Sequence, residues 1–353
     1  MADNPYSSLP DHRFWRKAVT GLPPFAIDPL LRAPFKIARE DRVATAGSCF
    51  AQEIAHQLQK SGYTYYLAEK PPEGMSRAEA IERNYEMYSC RYGNLYTTAQ
   101  LRQLIERAYG DFTPTLDFWT RPEDGRFVDP FRPRIEPDGF ATLEEMRADR
   151  ENHLAAVRKM IETIDVFVFT LGHTETWRHK PDGAILQMAP GVAGGEWNPD
   201  VYEFYNMTVS EVVRDCLAAL DRIREINPRV RIIVSVSPVN IIATYEDRHV
   251  VVSNSAIKAI LRAAADEITR VRDNIAYLPS YDLITVSANA PRFYRDDTRR
   301  INAHGVDRVM KMFFDHFTDR AREETIQALK VDVAAEAETT ARVICDEEAI
   351  ESA

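Results

Sequence analysis

The chain has 353 residues, of which 28% are charged, and its formal net charge is −10 at pH 7. An acidic balance of this kind argues against nonspecific nucleic-acid binding, which needs a basic surface to displace counterions. No apolar run approaches the roughly 18 residues of a membrane span, and the polar N-terminus lacks the apolar stretch of a signal peptide. We therefore expect a cytoplasmic protein that does not insert into membranes.

The four cysteines, Cys49, Cys90, Cys216 and Cys345, are scattered and form no C-x-x-C pair. Such spacing does not indicate a zinc site, and free thiols fit a reducing compartment. We therefore expect neither a metal nor an organic cofactor. The sequence does not predict an oligomeric state.

The two ends of the chain differ from its middle. Residues 1–40 contain six prolines interleaved with aromatic residues such as Trp15 and Phe35. Proline blocks long helices while aromatic side chains favour burial, so this stretch is expected to form an extended arm packed on the domain. Residues 321–353 are acidic and rich in alanine, which indicates a peripheral tail that is partly helical.

Residues 41–320 alternate apolar runs with amphipathic segments, which is typical of a single α/β domain. The apolar runs 43–46, 166–171 and 231–237 predict strands. Because helical patterns separate them, the strands should be parallel neighbours in one sheet of about five strands, with helices on both faces. Their C-terminal ends should meet at a common cleft.

Two long stretches of this domain, residues 111–148 and 181–206, show no clear period and are rich in proline, glycine and aromatic residues. Loops of this length are unusual in a compact domain unless they cover a site. We interpret them as the rim of the cleft. Trp119 or Trp197 should then approach the cleft, because aromatic faces suit sugar rings and acyl chains.

The stretch from Arg42 to Leu58 carries the candidate nucleophiles, Ser48 and Cys49, between an apolar strand and a helix. The first turn of a helix leaves N–H groups unpaired and carries the positive end of the helix dipole, which stabilises an anion. Gly47 permits the sharp turn. The plainer interpretation is a strand-to-helix turn whose residues were chosen for their small size.

The run Gly47-Ser48-Cys49-Phe50-Ala51 resembles the motif that names the GSCFA family, which is grouped with the SGNH (GDSL-like) hydrolases. Other stretches that resemble this family, between about residues 43 and 317, are Tyr92-Gly93-Asn94-Leu95-Tyr96-Thr97, Thr170-Leu171-Gly172, Ser235-Val236-Ser237-Pro238-Val239, Asp247-Arg248-His249-Val250, Pro279-Ser280-Tyr281 and Arg292-Phe293-Tyr294. The resemblance implies an SGNH-like three-layer α/β/α sandwich with an N-terminal arm and loop insertions.

The same resemblance implies an acyl-ester hydrolase or O-acyltransferase. Its substrate would be a small-molecule or glycan ester, a carbohydrate or glycoconjugate, processed through a covalent acyl-enzyme. The alternative hypothesis is a catalytically silent SGNH-like binding or scaffold protein, because a fold does not fix chemistry.

The resemblance also suggests roles for particular residues. In a gapless comparison with the Gly-Asp-Ser of SGNH enzymes, Cys49 takes the nucleophile position. Ser48 stays the alternative, because a shift of one residue at the turn would present its hydroxyl instead. Gly93 and Asn94 are the expected oxyanion-hole donors, although Gly-Asn pairs are also common in plain turns.

The corner after the predicted strand 166–171 supplies the candidate substrate-binding residues Gly172, Glu175 and Trp177. Glu175 would bind a sugar hydroxyl or tie down its loop. The Gly-x-Asn-Asp of the SGNH pattern is replaced here by Thr174 and Glu175, which leaves the oxyanion role of this corner open.

The expected general base is missing from its usual place. SGNH enzymes carry Asp-x-x-His before the last helix, and here Arg300 occupies the histidine position. Arginine is no general base at ordinary pH, which leaves Arg300 as a substrate-binding candidate. His249 is the predicted base, oriented by Asp247 or Asp297, with His304 as a weaker substitute. The plainer interpretation of His249 is a hydrogen-bonded structural histidine.

Overall fold

The computed structural model describes residues 4–319, so the predicted tail 321–353 lies outside the described residues. The helices and strands of the described part are, in chain order, β1 (Val43–Gly47), α1 (Cys49–Lys60), α2 (Arg77–Glu82), α3 (Thr98–Tyr109), β2 (Trp119–Thr120), β3 (Phe127–Val128), α4 (Leu143–Thr163), β4 (Val166–Leu171), β5 (Glu175–His179), β6 (Ile185–Leu186), β7 (Tyr202–Asn206), α5 (Val209–Ile226), β8 (Arg231–Val236), α6 (Val250–Val271), β9 (Ile275–Leu278), α7 (Ser280–Thr285), α8 (Ala290–Phe293) and α9 (Ala303–Phe317). No helix within this part is long and apolar enough to cross a membrane.

Parallel strands form the main sheet, in the spatial order β1-β4-β8-β9. Val43 pairs with Val166, and Val166 pairs with Arg231 on its other side. The prediction that the runs 43–46, 166–171 and 231–237 are parallel neighbours is therefore confirmed. Within residues 4–319 the sheet has four strands rather than about five. A single parallel bridge from Val43 to Tyr65 continues it beyond β1.

The position of Tyr65 completes a doubly wound topology. The chain passes from β1 to the Tyr65 bridge on one side and then returns to β4 on the other side. In sheets of this type, ligands bind outside the C-terminal ends of the strands, where the strand order reverses. That point lies between β1 and β4.

Helices cover both faces of the sheet, as expected for a three-layer α/β/α sandwich. On one face, Val166 and Val168 belong to the apolar cluster that contains Ile54 of α1 and Phe313 of α9. On the opposite face, Phe167 belongs to a second cluster, with residues of α3, α4, α5 and α6. The alternation follows from the two-residue period of a strand, so both faces of β4 are buried.

The stretches interpreted as rim loops contain strands, which corrects the expectation from the sequence. β2 and β3 form an antiparallel hairpin inside residues 111–148, and β6 and β7 flank β5 in a second antiparallel sheet, in the order β6-β5-β7. β2, β3 and β6 have two residues each and carry no readable period, which is why the sequence did not predict these three strands. Trp119 and Tyr202 join the two insertions through a hydrogen bond of 2.9 Å from Nε1 to the tyrosine hydroxyl.

The N-terminal region contacts α9 through its last part. The Phe35 and Phe317 rings lie 5.7 Å apart, and the Ile37 N–H donates to the Phe317 carbonyl at 2.6 Å. Trp15 and Phe25 are 63% and 71% exposed, although burial of the aromatic side chains was expected.

Candidate active site

Ser48 and Cys49 lie where β1 passes into α1. Gly47 has a φ of +133°, and a Cβ atom at this position would lie 2.3 Å from the Thr170 carbonyl oxygen of β4. Only glycine permits this close approach of the two strands. Ser48 is the N-cap residue of α1 and Cys49 its first residue. They are 2% and 5% exposed, so both candidate nucleophiles are buried at the positive end of a helix.

The Ser48 hydroxyl does not cap its helix. Thr97, Thr142, Thr208 and Asn302 each accept a backbone N–H bond at the start of α3, α4, α5 and α9, whereas Ser48 accepts none at the start of α1. Within residues 4–319 its Oγ is buried and has no hydrogen-bond partner. A buried polar group left unsatisfied costs about 1–3 kcal/mol. The chain therefore keeps an unpaired hydroxyl at the switch point of the sheet.

Gly172, directly after β4, lies against this turn, and Tyr96, in the loop before α3, contacts Gly172. A Cβ atom on Gly172 would lie 2.8 Å from Ser48 Cβ and 3.1 Å from Tyr96 Cδ1. The backbone N–H groups of Gly172 and His173 both donate to the Tyr96 carbonyl at 3.0 Å. The structure thus brings the predicted site residue Gly172 against Ser48. Tyr96 was not singled out, although it belongs to a stretch that resembles the family.

Asn94 lies on the other side of the same turn. Its Oδ1 accepts hydrogen bonds from the Tyr88 hydroxyl and, at 3.3 Å, from Gln52 Nε2 of α1. The Tyr88 hydroxyl oxygen also lies 3.1 Å from the Ser48 carbonyl oxygen. These contacts orient the Asn94 amide oxygen towards α1. The Nδ2 atom, which carries the donor hydrogens of this side chain, is the one that would act in an oxyanion hole. Gly93, the other predicted oxyanion donor, packs on Gln187, whose Nε2 would lie 2.5 Å from a Cβ atom there.

A cavity of about 360 Å³ opens at this edge of the sheet. Tyr96 and His173 form part of its wall, together with the predicted site residues Glu175 and Trp177. The Trp177 ring is the centre of an aromatic cluster, with ring centroids 5.0 Å from Trp197, 5.8 Å from Phe204 and 4.8 Å from Tyr245, all of which also line the cavity. Trp119 belongs instead to the separate cluster between the two insertions.

Glu175 fixes one wall of the cavity. Its carboxylate accepts hydrogen bonds from Thr244 Oγ1 at 2.6 Å and from the Tyr245 N–H at 3.1 Å. Burial raises the pKa of Glu175 above its usual range. The side chain anchors the loop that follows β8, which is one of the two roles predicted for it.

His173 and Lys258 add two buried basic groups beside Ser48. His173 Nδ1 accepts the Glu175 N–H at 2.9 Å, so the neutral ring carries its proton on Nε2. Burial, and secondarily the charge of Lys258, lowers the pKa of His173 to about 3. Lys258 is 2% exposed and donates from Nζ to the Gly172 carbonyl at 3.2 Å. The sequence signal for Lys258 is its place among the apolar positions of α6, three residues before Leu261.

His249 caps α6. Its Nδ1 accepts the Val251 N–H at 3.2 Å, and both His249 and Asp247 are exposed. In this conformation the neutral ring has its proton on Nε2, so Asp247 is not bonded to an Nδ1 proton. Ser48 Oγ has no hydrogen bond in the described part of the chain, so neither His249 nor Asp247 is hydrogen-bonded to Ser48 Oγ. The role of His249 as the base stays a prediction.

Asp297 and Arg300 pair with each other rather than with His249. Arg300 Nε lies 2.6 Å from Asp297 Oδ2, and the Arg299 and Arg300 N–H groups donate to Oδ1 at 2.9 and 3.0 Å. Burial raises the pKa of Asp297, but these hydrogen bonds outweigh it and lower the pKa below its usual range. The carboxylate therefore holds an arginine where the resemblance expects a histidine. His304 is exposed in the first turn of α9.

No group of three or more histidine, cysteine, aspartate or glutamate side chains within residues 4–319 is arranged to hold a metal ion.

The fold and the site define an α/β protein with a serine–cysteine turn at the switch point of its sheet, next to an aromatic cavity. The model of the GSCFA family matches residues 42–313, well over half of the chain. The protein belongs to the GSCFA family.

Two solved structures are similar to this chain at low identity. One is a carbohydrate esterase family 3 from Talaromyces cellulolyticus, with 11% identity and a TM-score of 0.34, covering 82% of this chain and 98% of the other. The second is a mutant of an acetyl esterase with an acetate ion, with 12% identity, a TM-score of 0.34 and the same coverage of 82% and 98%. Among curated proteins, none matches this chain.

Proposed function

We propose that the protein is an acyl-ester hydrolase or O-acyltransferase that forms a covalent acyl-enzyme and acts on a carbohydrate or glycoconjugate ester. The observation that carries this proposal is the buried, unpaired Ser48 hydroxyl at the start of α1. Such a group lowers the stability of the fold, because among the described residues it neither caps the helix nor bonds to a neighbour. A nucleophile awaiting its substrate supplies a reason to retain it.

The first step is attack of the nucleophile on the ester carbonyl. A bond forms between Ser48 Oγ and the carbonyl carbon, the hydroxyl proton passes to a base, and the bond to the leaving alcohol breaks as that alcohol takes a proton. The N–H groups in the first turn of α1 and the Asn94 amide are the candidate donors for the oxyanion. Water, or a hydroxyl of an acceptor, then attacks the acyl-enzyme and restores Ser48.

Cys49 is the competing nucleophile. Its thiol is attached to the first residue of α1, where the helix dipole favours the thiolate, and thiolates are intrinsically better nucleophiles than hydroxyls. The missing cap bond supports Ser48. The two assignments make different predictions for chemical labelling.

The labelling experiment uses a fluorophosphonate for activated serines and iodoacetamide for thiolates at pH 7, with the modified peptide identified by mass spectrometry. If Ser48 is the nucleophile, the fluorophosphonate adduct lies on Ser48 and persists in Cys49→Ser but not in Ser48→Ala. If Cys49 is the nucleophile, iodoacetamide labels it ahead of Cys90 and Cys216. Those two thiols are internal controls, because burial raises the pKa of Cys90 and raises that of Cys216 to about 12.

The proton acceptor has its own test. We expect His249→Ala to lower ester hydrolysis about a hundredfold or more, the usual scale of general-base catalysis. His304→Ala is the matched control and should change the rate little. Equal rates in both variants and the wild-type protein would exclude His249 as the base.

The second candidate function is a catalytically silent binding or scaffold protein. The Arg300–Asp297 pair favours it, because it occupies the position of the usual acid–base histidine. This hypothesis predicts no adduct on Ser48 or Cys49 and no turnover of any ester.

A further inference from the structure

We infer that the cavity beside Ser48 binds the acyl part of the ester, and that this part is an apolar chain of medium length rather than acetyl. The inference rests on the proposed acyl-enzyme chemistry. It assigns the aromatic cavity to the acyl group and leaves the carbohydrate to the surface outside it.

The lining of the cavity is the first support. Apolar side chains supply most of it, including Trp177, Trp197, Phe204, Met188, Pro190 and Ile242. Its volume of about 360 Å³ falls in the range of pockets that enclose drug-sized ligands, roughly 300–1,000 Å³. An acetyl group would fill only a small part of this space, whereas a chain of about six to ten carbons would use the apolar surface, because burial of each methylene is favourable.

The second support comes from three polar side chains of the cavity, Thr176, Gln187 and Glu175, which are already hydrogen-bonded within the chain. Thr176 Oγ1 donates to the Leu186 carbonyl at 3.0 Å, and Gln187 Nε2 donates to the Asn94 carbonyl at 2.9 Å. The Glu175 carboxylate is bonded to the loop after β8. A sugar ring would bury hydroxyls that each require a partner. An alkyl chain has no such requirement.

The position of the cavity relative to the nucleophile is the third support. Tyr96 and His173 line the cavity and are joined by the bond from the His173 N–H to the Tyr96 carbonyl. The Tyr96 ring and Ser48 Cβ both lie within contact distance of the space above Gly172. Tyr96 therefore links the wall of the cavity to the Gly172 position that Ser48 also borders, and this proximity supports placing the acyl group in the cavity.

The test measures kcat/KM for p-nitrophenyl acetate, butyrate, hexanoate and octanoate. We expect a rise of about three- to fourfold for each added methylene, the ratio that corresponds to burial of one CH₂ group. Trp197→Ala should reduce the increase in kcat/KM with chain length. Its side chain is 44% exposed, so the variant should fold, and Trp15→Ala, 63% exposed on the N-terminal arm, is the matched control that should retain the slope.

A binding measurement separates this inference from the proposed function. Calorimetric titration of the wild-type protein and of Ser48→Ala with octanoate, acetate and methyl glucoside needs no turnover. We expect octanoate to bind both proteins, Trp197→Ala to weaken it at least tenfold, and acetate and methyl glucoside to bind far more weakly.

Octanoate binding without hydrolysis of any ester would refute the proposed function but support the inference that the cavity binds an alkyl chain. Ester hydrolysis without a chain-length preference would overturn this inference but remain consistent with the proposed function. Methyl glucoside binding that Trp197→Ala abolishes would also overturn the inference, because it would assign the cavity to the sugar.

Discussion

Replacement of Ser48 by alanine should separate stability from function. In most proteins an N-cap serine stabilises its helix through a side-chain bond to a backbone N–H, and its loss costs about 0.5–2 kcal/mol. Ser48 makes no such bond, and its buried oxygen has no partner within the described residues. Ser48→Ala therefore removes a buried, unsatisfied hydroxyl that lowers the free energy of unfolding of the wild-type protein.

The magnitude follows from two opposing terms. An unsatisfied buried polar group costs about 1–3 kcal/mol, while the small void left by the missing oxygen returns part of that gain. We expect Ser48→Ala to leave the free energy of unfolding unchanged or to raise it by up to about 1 kcal/mol. Thr142→Ala and Thr208→Ala, which remove true capping bonds from α4 and α5, should each lower it by about 1 kcal/mol.

The assay is urea unfolding followed by circular dichroism, with the midpoint compared among the wild-type protein and the three variants at equal m-values. Ser48→Ala should unfold at an equal or higher urea concentration than the wild-type protein, and the two threonine variants at a lower one. A loss for Ser48→Ala equal to that of Thr208→Ala would mean that the hydroxyl is bonded in the folded protein. The argument for Ser48 as a reserved nucleophile would then fail.

Three further predictions concern other parts of the site and its surroundings. Gly47→Ala should prevent folding or cost more than about 3 kcal/mol, because its Cβ would lie 2.3 Å from a backbone oxygen of β4; Gly183→Ala, also at positive φ but in open space, should cost only about 1–2 kcal/mol in denaturant unfolding. Lys258→Met should raise the pKa of His173 above about 3, because the lysine charge opposes protonation of the ring. NMR titration of the imidazole would measure this change. An unchanged pKa would contradict the contribution of the Lys258 charge to the low pKa of His173. Although burial raises the pKa of Asp182, hydrogen bonds from His179, Thr115 and Ala184 lower it to about 2. Because this folded-state value lies below the unfolded value of about 3.9, the carboxylate stabilises the fold above about pH 4 and the stabilisation disappears as the pH falls towards 2. Unfolding free energies of Asp182→Asn should therefore depend less on pH in this window than those of the wild-type protein.

The sequence predicts the centre of the fold because strands buried on both faces leave a strong signal. The run 166–171 and the apolar centre of 231–237 are typical of the buried interior of a parallel sheet. The edges of the fold leave a weaker signal. The segment at Tyr65 makes one bridge only, and the two-residue strands β2, β3 and β6 are held by contacts between the insertions that no local pattern encodes.

The candidate site divides in the same way. Ser48, Cys49 and Gly172 are predictable, because strand ends and helix starts mark the places where an α/β sheet binds ligands. Lys258 and His173 are not, since their positions depend on how α6 packs under the end of β4. The charge of Lys258 on an apolar helix face is the one local trace of that arrangement.

To act as the base of the proposed mechanism, His249 has to move, because its ring is hydrogen-bonded to Val251 and the Ser48 hydroxyl has no hydrogen bond within the described residues. His173 lines the cavity and follows Gly172, which borders Ser48, but burial lowers its pKa to about 3, which makes it too weak a base at neutral pH. Arg300 holds Asp297 and accepts no proton. Among the described residues, the imidazole of His249 accepts one hydrogen bond, from the Val251 N–H, and such a bond contributes about 1 kcal/mol. A hundredfold contribution from general-base catalysis lowers the activation free energy by about 2.7 kcal/mol. Breaking the hydrogen bond to Val251 when substrate binds would cost less than this decrease.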